Sequence, residues 1–136
     1  MDRRSMMAAT AGLVAAGAAG MTGKAFADEG AVACEAGCTD CSSACLACVA
    51  ECLNEMSEGE AHYAKCIRLC LDCADICAAC SSITARKGPM TKAISLACAE
   101  ACEACAAECG KHSDAACKAC AAACLKCAEE CRAAAK

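Results

Sequence analysis

Aromatic side chains are almost missing: 136 residues contain no tryptophan, one tyrosine and one phenylalanine. There is a single proline, and only two histidines. Beyond residue 27 there are twelve Leu, Ile and Val residues and two Met in 109 positions. A domain of this size ordinarily builds its core from branched and aromatic side chains, so a conventional hydrophobic core is excluded. The 59 % apolar content is carried mainly by alanine and cysteine. No Ser/His/Asp set, phosphate-cradling loop or convergent pair of carboxylates stands out, so the chain does not read as an enzyme.

What the chain has is cysteine, twenty of them. Cys34, Cys38, Cys41, Cys45, Cys48 and Cys52 form one row, and Cys66, Cys70, Cys73, Cys77 and Cys80 a second. Cys98, Cys102, Cys105 and Cys109 form a third, and Cys117, Cys120, Cys124, Cys127 and Cys131 a fourth. Every step within a row is 3 or 4, the spacing of one helix face. A strand would need steps of 2. The residues between are mostly Ala, Glu, Lys and Leu, which favour helix.

The first 27 residues differ from the rest. Arg3 and Arg4 precede a weakly apolar run, and Lys24 leads into the small-residue sequence Ala25-Phe26-Ala27. The run is too short and too rich in Gly and Ala for a membrane span. Its pattern resembles a twin-arginine export leader ending at Ala27, which predicts a mature chain from residue 28 to 136 in the periplasm, exported already folded. That mature chain carries ten basic and sixteen acidic residues. Nucleic acid and anionic membrane are therefore not its partners.

The breaks between rows are helix punctuation. Gly59 marks a turn, Gly88 a helix end before Pro89, and Gly110 a stop, with Ser113 as the N-cap of the fourth helix. The predicted helices run over 31–56, 60–86, 89–109 and 114–132. Short connections make the fold all-α, an antiparallel up-down-up-down four-helix bundle with a cysteine-lined core. Glutamates such as Glu51, Glu55, Glu100, Glu103, Glu108, Glu129 and Glu130 fall between cysteines and read as solvated outward faces.

Disulfides do not explain the pattern. Neighbours in a row have Cβ atoms about 5–6 Å apart, whereas a disulfide wants about 3.8 Å. Metal fits better, since two metal–thiolate bonds of about 2.3 Å span about 4.6 Å end to end. Charge then selects the metal. Metal-bound cysteines are thiolates, so twenty occupied ligands put twenty negative charges in the core, where charge is expensive. Zinc at four thiolates per ion would neutralise only half of them. Cu(I) is soft and monovalent; with each sulfur bridging two coppers, about one ion per cysteine makes the core neutral. The alternative is a zinc-buffering or structural thiol or disulfide protein.

The segments "HYAKCIRLCLDCADIC" (62–77), "ACAEACEACAAEC" (97–109) and "CKACAAACLKCAEEC" (117–131) give the chain its resemblance to the copper storage protein family. The resemblance covers nearly the whole mature chain. It implies a homotetramer, reversible loading of many Cu(I) ions and later delivery to a copper enzyme. Met56, His62 and His112 fall at the bundle end shared by Cys66, Cys109 and Cys117. Imidazole, thioether and thiolate all hold copper, and the resemblance supports a port for copper there. The bland reading is that both histidines cap solvated helix ends. Tyr63 either flanks that end or fills core, and Met90, at the opposite end, reads as packing.

Overall fold

The computed structural model describes residues 29–59 and 61–136. The leader-like residues 1–27 lie outside them. Helix α1 spans Glu29–Ser57, α2 Ala64–Ala85, α3 Thr91–Cys109 and α4 Ala115–Ala134, with a 3-10 turn at Ala61–Tyr63 leading into α2. There is no strand among the described residues. Each helix packs on two neighbours, α1 on α2 and α4, and α3 on α2 and α4. This is the expected four-helix bundle. By length and composition α1 is also apolar enough to cross a membrane, but its cysteine stripe is buried against the other helices.

Connections decide where each helix stops. Gly59 takes a φ of 104°, which a residue with a Cβ resists. At the end of α2 the left-handed residue is Lys87, with φ 53°, and not the glycine beside it. The Gly88 amide donates to the Ile83 carbonyl at 3.0 Å and the Lys87 amide to that of Thr84 at 3.0 Å. That pair of bonds is the Schellman closure. Pro89 and Met90 then form a turn, so α3 starts two residues later than expected. Met90 is 59 % exposed, which corrects its assignment to packing.

α4 begins one residue later than expected, with Asp114 as the N-cap and no side-chain cap bond. The Asp114 carboxylate is already engaged, accepting a hydrogen bond from the Tyr63 hydroxyl. Where α1 meets α4, Gly37 is buried and a Cβ there would collide with the Glu130 carboxylate. Glu130 is thus tucked into a helix seam. Glu103 accepts two hydrogen bonds of 2.8 Å from Arg132 across α3 and α4, and Glu108 is only 7 % exposed. For Glu108 and Glu130 the reading as plain solvated surface is corrected, while Glu103 stays on the exposed face.

Candidate metal centre

Helical periodicity delivers all twenty cysteines to one place. Each is 0 % exposed, and each is a free thiol. Even Cys34 and Cys131, among the closest pairs, have sulfurs 3.3 Å apart, far beyond a covalent S–S bond of about 2.05 Å. Thiols pack acceptably as small hydrophobes, so the core that lacks branched side chains is built from sulfur.

The sulfurs form a continuous column. At one end Cys34 lies 3.8 Å from Cys80, and Cys38 lies 3.5 Å from Cys131 and 3.6 Å from Cys127. Cys77 and Cys98 come next, 3.4 Å apart. Midway, all four helices meet: Cys41 is 4.0 Å from Cys73, 3.8 Å from Cys102 and 3.5 Å from Cys124. Cys45 continues to Cys120 at 3.6 Å, and Cys70 to Cys105 at 3.6 Å. At the far end Cys48, Cys52 and Cys66 make a triangle with sides of 3.8, 3.8 and 3.9 Å. Cys117 is 3.4 Å from Cys48, and Cys109 is 3.5 Å from Cys66.

Those separations suit metal without backbone movement. Three sulfurs at about 2.3 Å from one ion stand about 4.0 Å apart, and four around one ion about 3.8 Å. Sets such as Cys34, Cys38, Cys80 and Cys131, or Cys45, Cys105, Cys120 and Cys124, already bring four sulfurs within 4.8 Å of one another. Distance therefore admits either a trigonal or a tetrahedral ion. Charge separates them: only a monovalent ion can match one thiolate each in a dry core.

Burial sets the protonation of the empty column. It pushes Cys66 up to about 12 and raises Cys52 and Cys117 as well, with burial the largest cause in all three. Deeper in, hydrogen bonds between thiols pull both ways: the Cys109 thiol draws Cys105 down to about 5, while burial opposes it. Cys41, Cys48 and Cys98 are likewise drawn down, to about 6, by neighbouring thiols. Burial opposes ionisation throughout, so a metal reaching Cys52, Cys66 and Cys117 must displace protons.

At the Cys66, Cys109 and Cys117 end the structure gathers the expected residues. The rings of His62 and His112 lie 5.5 Å apart, and Tyr63 stacks on both at 4.4 and 4.7 Å. Met56 is partly buried against the sulfur column. Glu108 also belongs to this end: its carboxylate lies 3.6 Å from His112 Nε2, 3.1 Å from Lys111 Nζ and 3.6 Å from Lys65 Nζ. The Lys111 hydrogen bond, more than any other contact, holds the Glu108 carboxyl below its usual range. The His112 side chain is 7 % exposed, and its Nε2 makes no hydrogen bond. Sequence spacing missed Glu108, although Lys111 and His112 at i+3 and i+4 were a usable signal.

A helical bundle whose interior is a continuous column of free thiols is suited to hold a soft metal. The family model for copper storage proteins (Csp) matches residues 27–136. The chain belongs to the copper storage protein family. It is similar to apo copper storage protein 3 of Bacillus subtilis, with 44 % identity and a TM-score of 0.71 over 78 % of this chain and 99 % of that one. The Cu(I)-bound copper storage protein BsCsp3 gives 44 % identity and a TM-score of 0.73 over 79 % and 100 %. A cytosolic copper storage protein from Streptomyces lividans, loaded with five coppers, gives 35 % and 0.75 over 81 % and 95 %. No curated protein sequence matches.

The Streptomyces protein corrects the localisation read from the sequence. The periplasmic reading rested on Arg3, Arg4 and Ala25 to Ala27, whereas the bundle is similar to that of a cytosolic copper storage protein. A reducing cytosol also keeps thiols free without special protection.

Proposed function

We propose that this chain stores Cu(I) on the thiolates of its core, at about one ion per cysteine, and acts as a container and not as a catalyst. One observation carries the reading: twenty sulfurs, all 0 % exposed, form a single column in which each has a neighbour within 4.0 Å. Uniform burial leaves no exposed, low-pKa thiol pair of the kind redox catalysis uses. Titration of the reduced protein with Cu(I) against a tight competing chelator tests it. Saturation is expected near twenty ions per chain, one for each free thiol. Saturation below about eight, with four thiolates per metal, would favour the zinc reading.

Copper enters and leaves at the His62 and His112 end. The support is a ring cluster held at that end, a hydrogen-bond-free His112 Nε2 and the Met56 thioether packed on the column. Replacing Met56, His62 and His112 together with alanine is expected to slow copper transfer to a chelator by about tenfold, the scale seen when residues that guide a metal are lost. Total capacity should hold, because the twenty thiolates remain. Unchanged rates would make the two histidines ordinary helix ends. A large drop in capacity would make them ligands of the store itself.

Assembly into a homotetramer and delivery to a copper enzyme complete the reading. Val32, Leu46 and Leu53, at multiples of seven along the outside of α1, are 61, 52 and 53 % exposed. Such a stripe suits contact with another copy.

A further inference from the structure

Two buried hydroxyls stand where the cysteine rows would continue. On α3 the row steps back from Cys98 by three to Ser95, and on α2 it steps on from Cys80 by four to Thr84. Ser95 is 0 % exposed and Thr84 3 %. Ser95 Oγ lies 4.0 Å from Cys34 Sγ and 3.9 Å from Cys80 Sγ, and Thr84 Oγ1 lies 3.9 Å from Cys80 Sγ. They close the column at the end opposite the histidines. At the C-cap of α4 the same continuation is Ala135, 6 % exposed, so an apolar residue suffices where only space must be filled. Burying a hydroxyl has a cost unless it is hydrogen-bonded.

We propose that Ser95 and Thr84 are positioning residues that terminate the copper array, their hydroxyls donating hydrogen bonds to the outermost thiolates, Cys34 and Cys80. The inference rests on the copper-storage reading. A hydroxyl oxygen is a hard, poor ligand for Cu(I), so neither residue extends the store. Once copper is bound, Cys34 and Cys80 carry no proton, and the hydroxyl must be the donor. Sulfurs inside the column share their charge among coppers on both sides, but the last sulfurs have metal on one side only. They keep excess negative charge in a dry site. A hydrogen bond to a charged acceptor is the stronger kind, and outer contacts of this sort fix the geometry and basicity of metal ligands.

The test compares parent, the double variant Ser95→Ala with Thr84→Val, the hydroxyl-keeping Thr84→Ser, and Ser95→Cys, each loaded with Cu(I) and then challenged with a graded chelator. The double variant should keep the parent's total copper and helicity. About two of its ions should pass to the chelator at roughly tenfold lower chelator concentration, the scale of a lost hydrogen bond to a charged group. Thr84→Ser should match the parent. Ser95→Cys should gain about one ion, because the position fits a ligand and only its chemistry does not. Curves that superimpose for parent and double variant would overturn the proposal, as would a shift of all ions together or no gain with Ser95→Cys. A parent that binds only a few ions would refute the storage reading, and this proposal with it. The parent's own stoichiometry reports that separately.

Discussion

Taken from about pH 8 to about pH 11, the metal-free protein should unfold while the copper-loaded protein stays helical. The cause is the burial that raises Cys52, Cys66 and Cys117, with Cys66 reaching about 12 against an ordinary 9.0. In the unfolded chain these thiols ionise near their ordinary value; in the folded core they stay protonated. The folded state therefore binds more protons, its stability is complete below about pH 9, and stability falls as pH rises toward the folded values. Each thiol held neutral costs about 1.4 kcal/mol for each pH unit above that point. Three of them amount to about 4 kcal/mol at pH 10, set against a typical total of 5–15 kcal/mol. Loaded protein has thiolates already neutralised by metal and no protons left to lose. Helicity by circular dichroism across a pH series checks this, and coincident alkaline transitions for the two forms would contradict it.

The same regularity of the core explains why so much was legible in the sequence. A helix repeats every 3.6 residues, so steps of 3 and 4 can mean only one buried stripe. Four stripes with short links leave few ways to close a bundle. The column and the residues gathered at each end come from counting. What counting could not reach depends on a second helix or on backbone hydrogen bonds. Lys87 takes the left-handed position because the bonds to Ile83 and Thr84 fix it there, although Gly88 beside it is the easier residue. Glu108 and Glu130 occupy positions between cysteines that periodicity assigns to the outside. A lysine pair and His112 enclose the first, and the missing Cβ of Gly37 admits the second. Tyr63 stacks with both imidazoles only because a 3-10 turn carries it there. Ser95 and Thr84 were readable in principle, by tracing the rows as positions and not only as cysteines.

A break in the middle of the column should split the store. Cys41, Cys73, Cys102 and Cys124 form the layer where all four helices meet. Nine cysteines lie between that layer and the histidine end, and seven lie beyond it. A Cu(I) ion held by several sulfurs at about 2.3 Å can pass to a neighbouring sulfur set only if the sets share ligands. Sulfur–sulfur contacts of 3.3 to 4.0 Å along the column meet that need. Changing all four layer cysteines to alanine, a strong helix former, leaves a gap wider than any shared ligand can bridge. With copper entering at the histidine end, the variant should fill quickly to about nine ions, one for each near-side thiol. The remaining seven sites should fill slowly or only after partial unfolding. Stopped-flow uptake, then removal of excess copper and metal analysis, reads both phases. Rapid loading to sixteen ions would show that copper reaches the core through the helix seams, and it would move the port away from His62 and His112. The helices themselves should persist, because alanine keeps their propensity and the sixteen remaining thiols still fill the core. If the variant instead proves unfolded without copper, the central sulfurs hold the bundle together as well as its cargo.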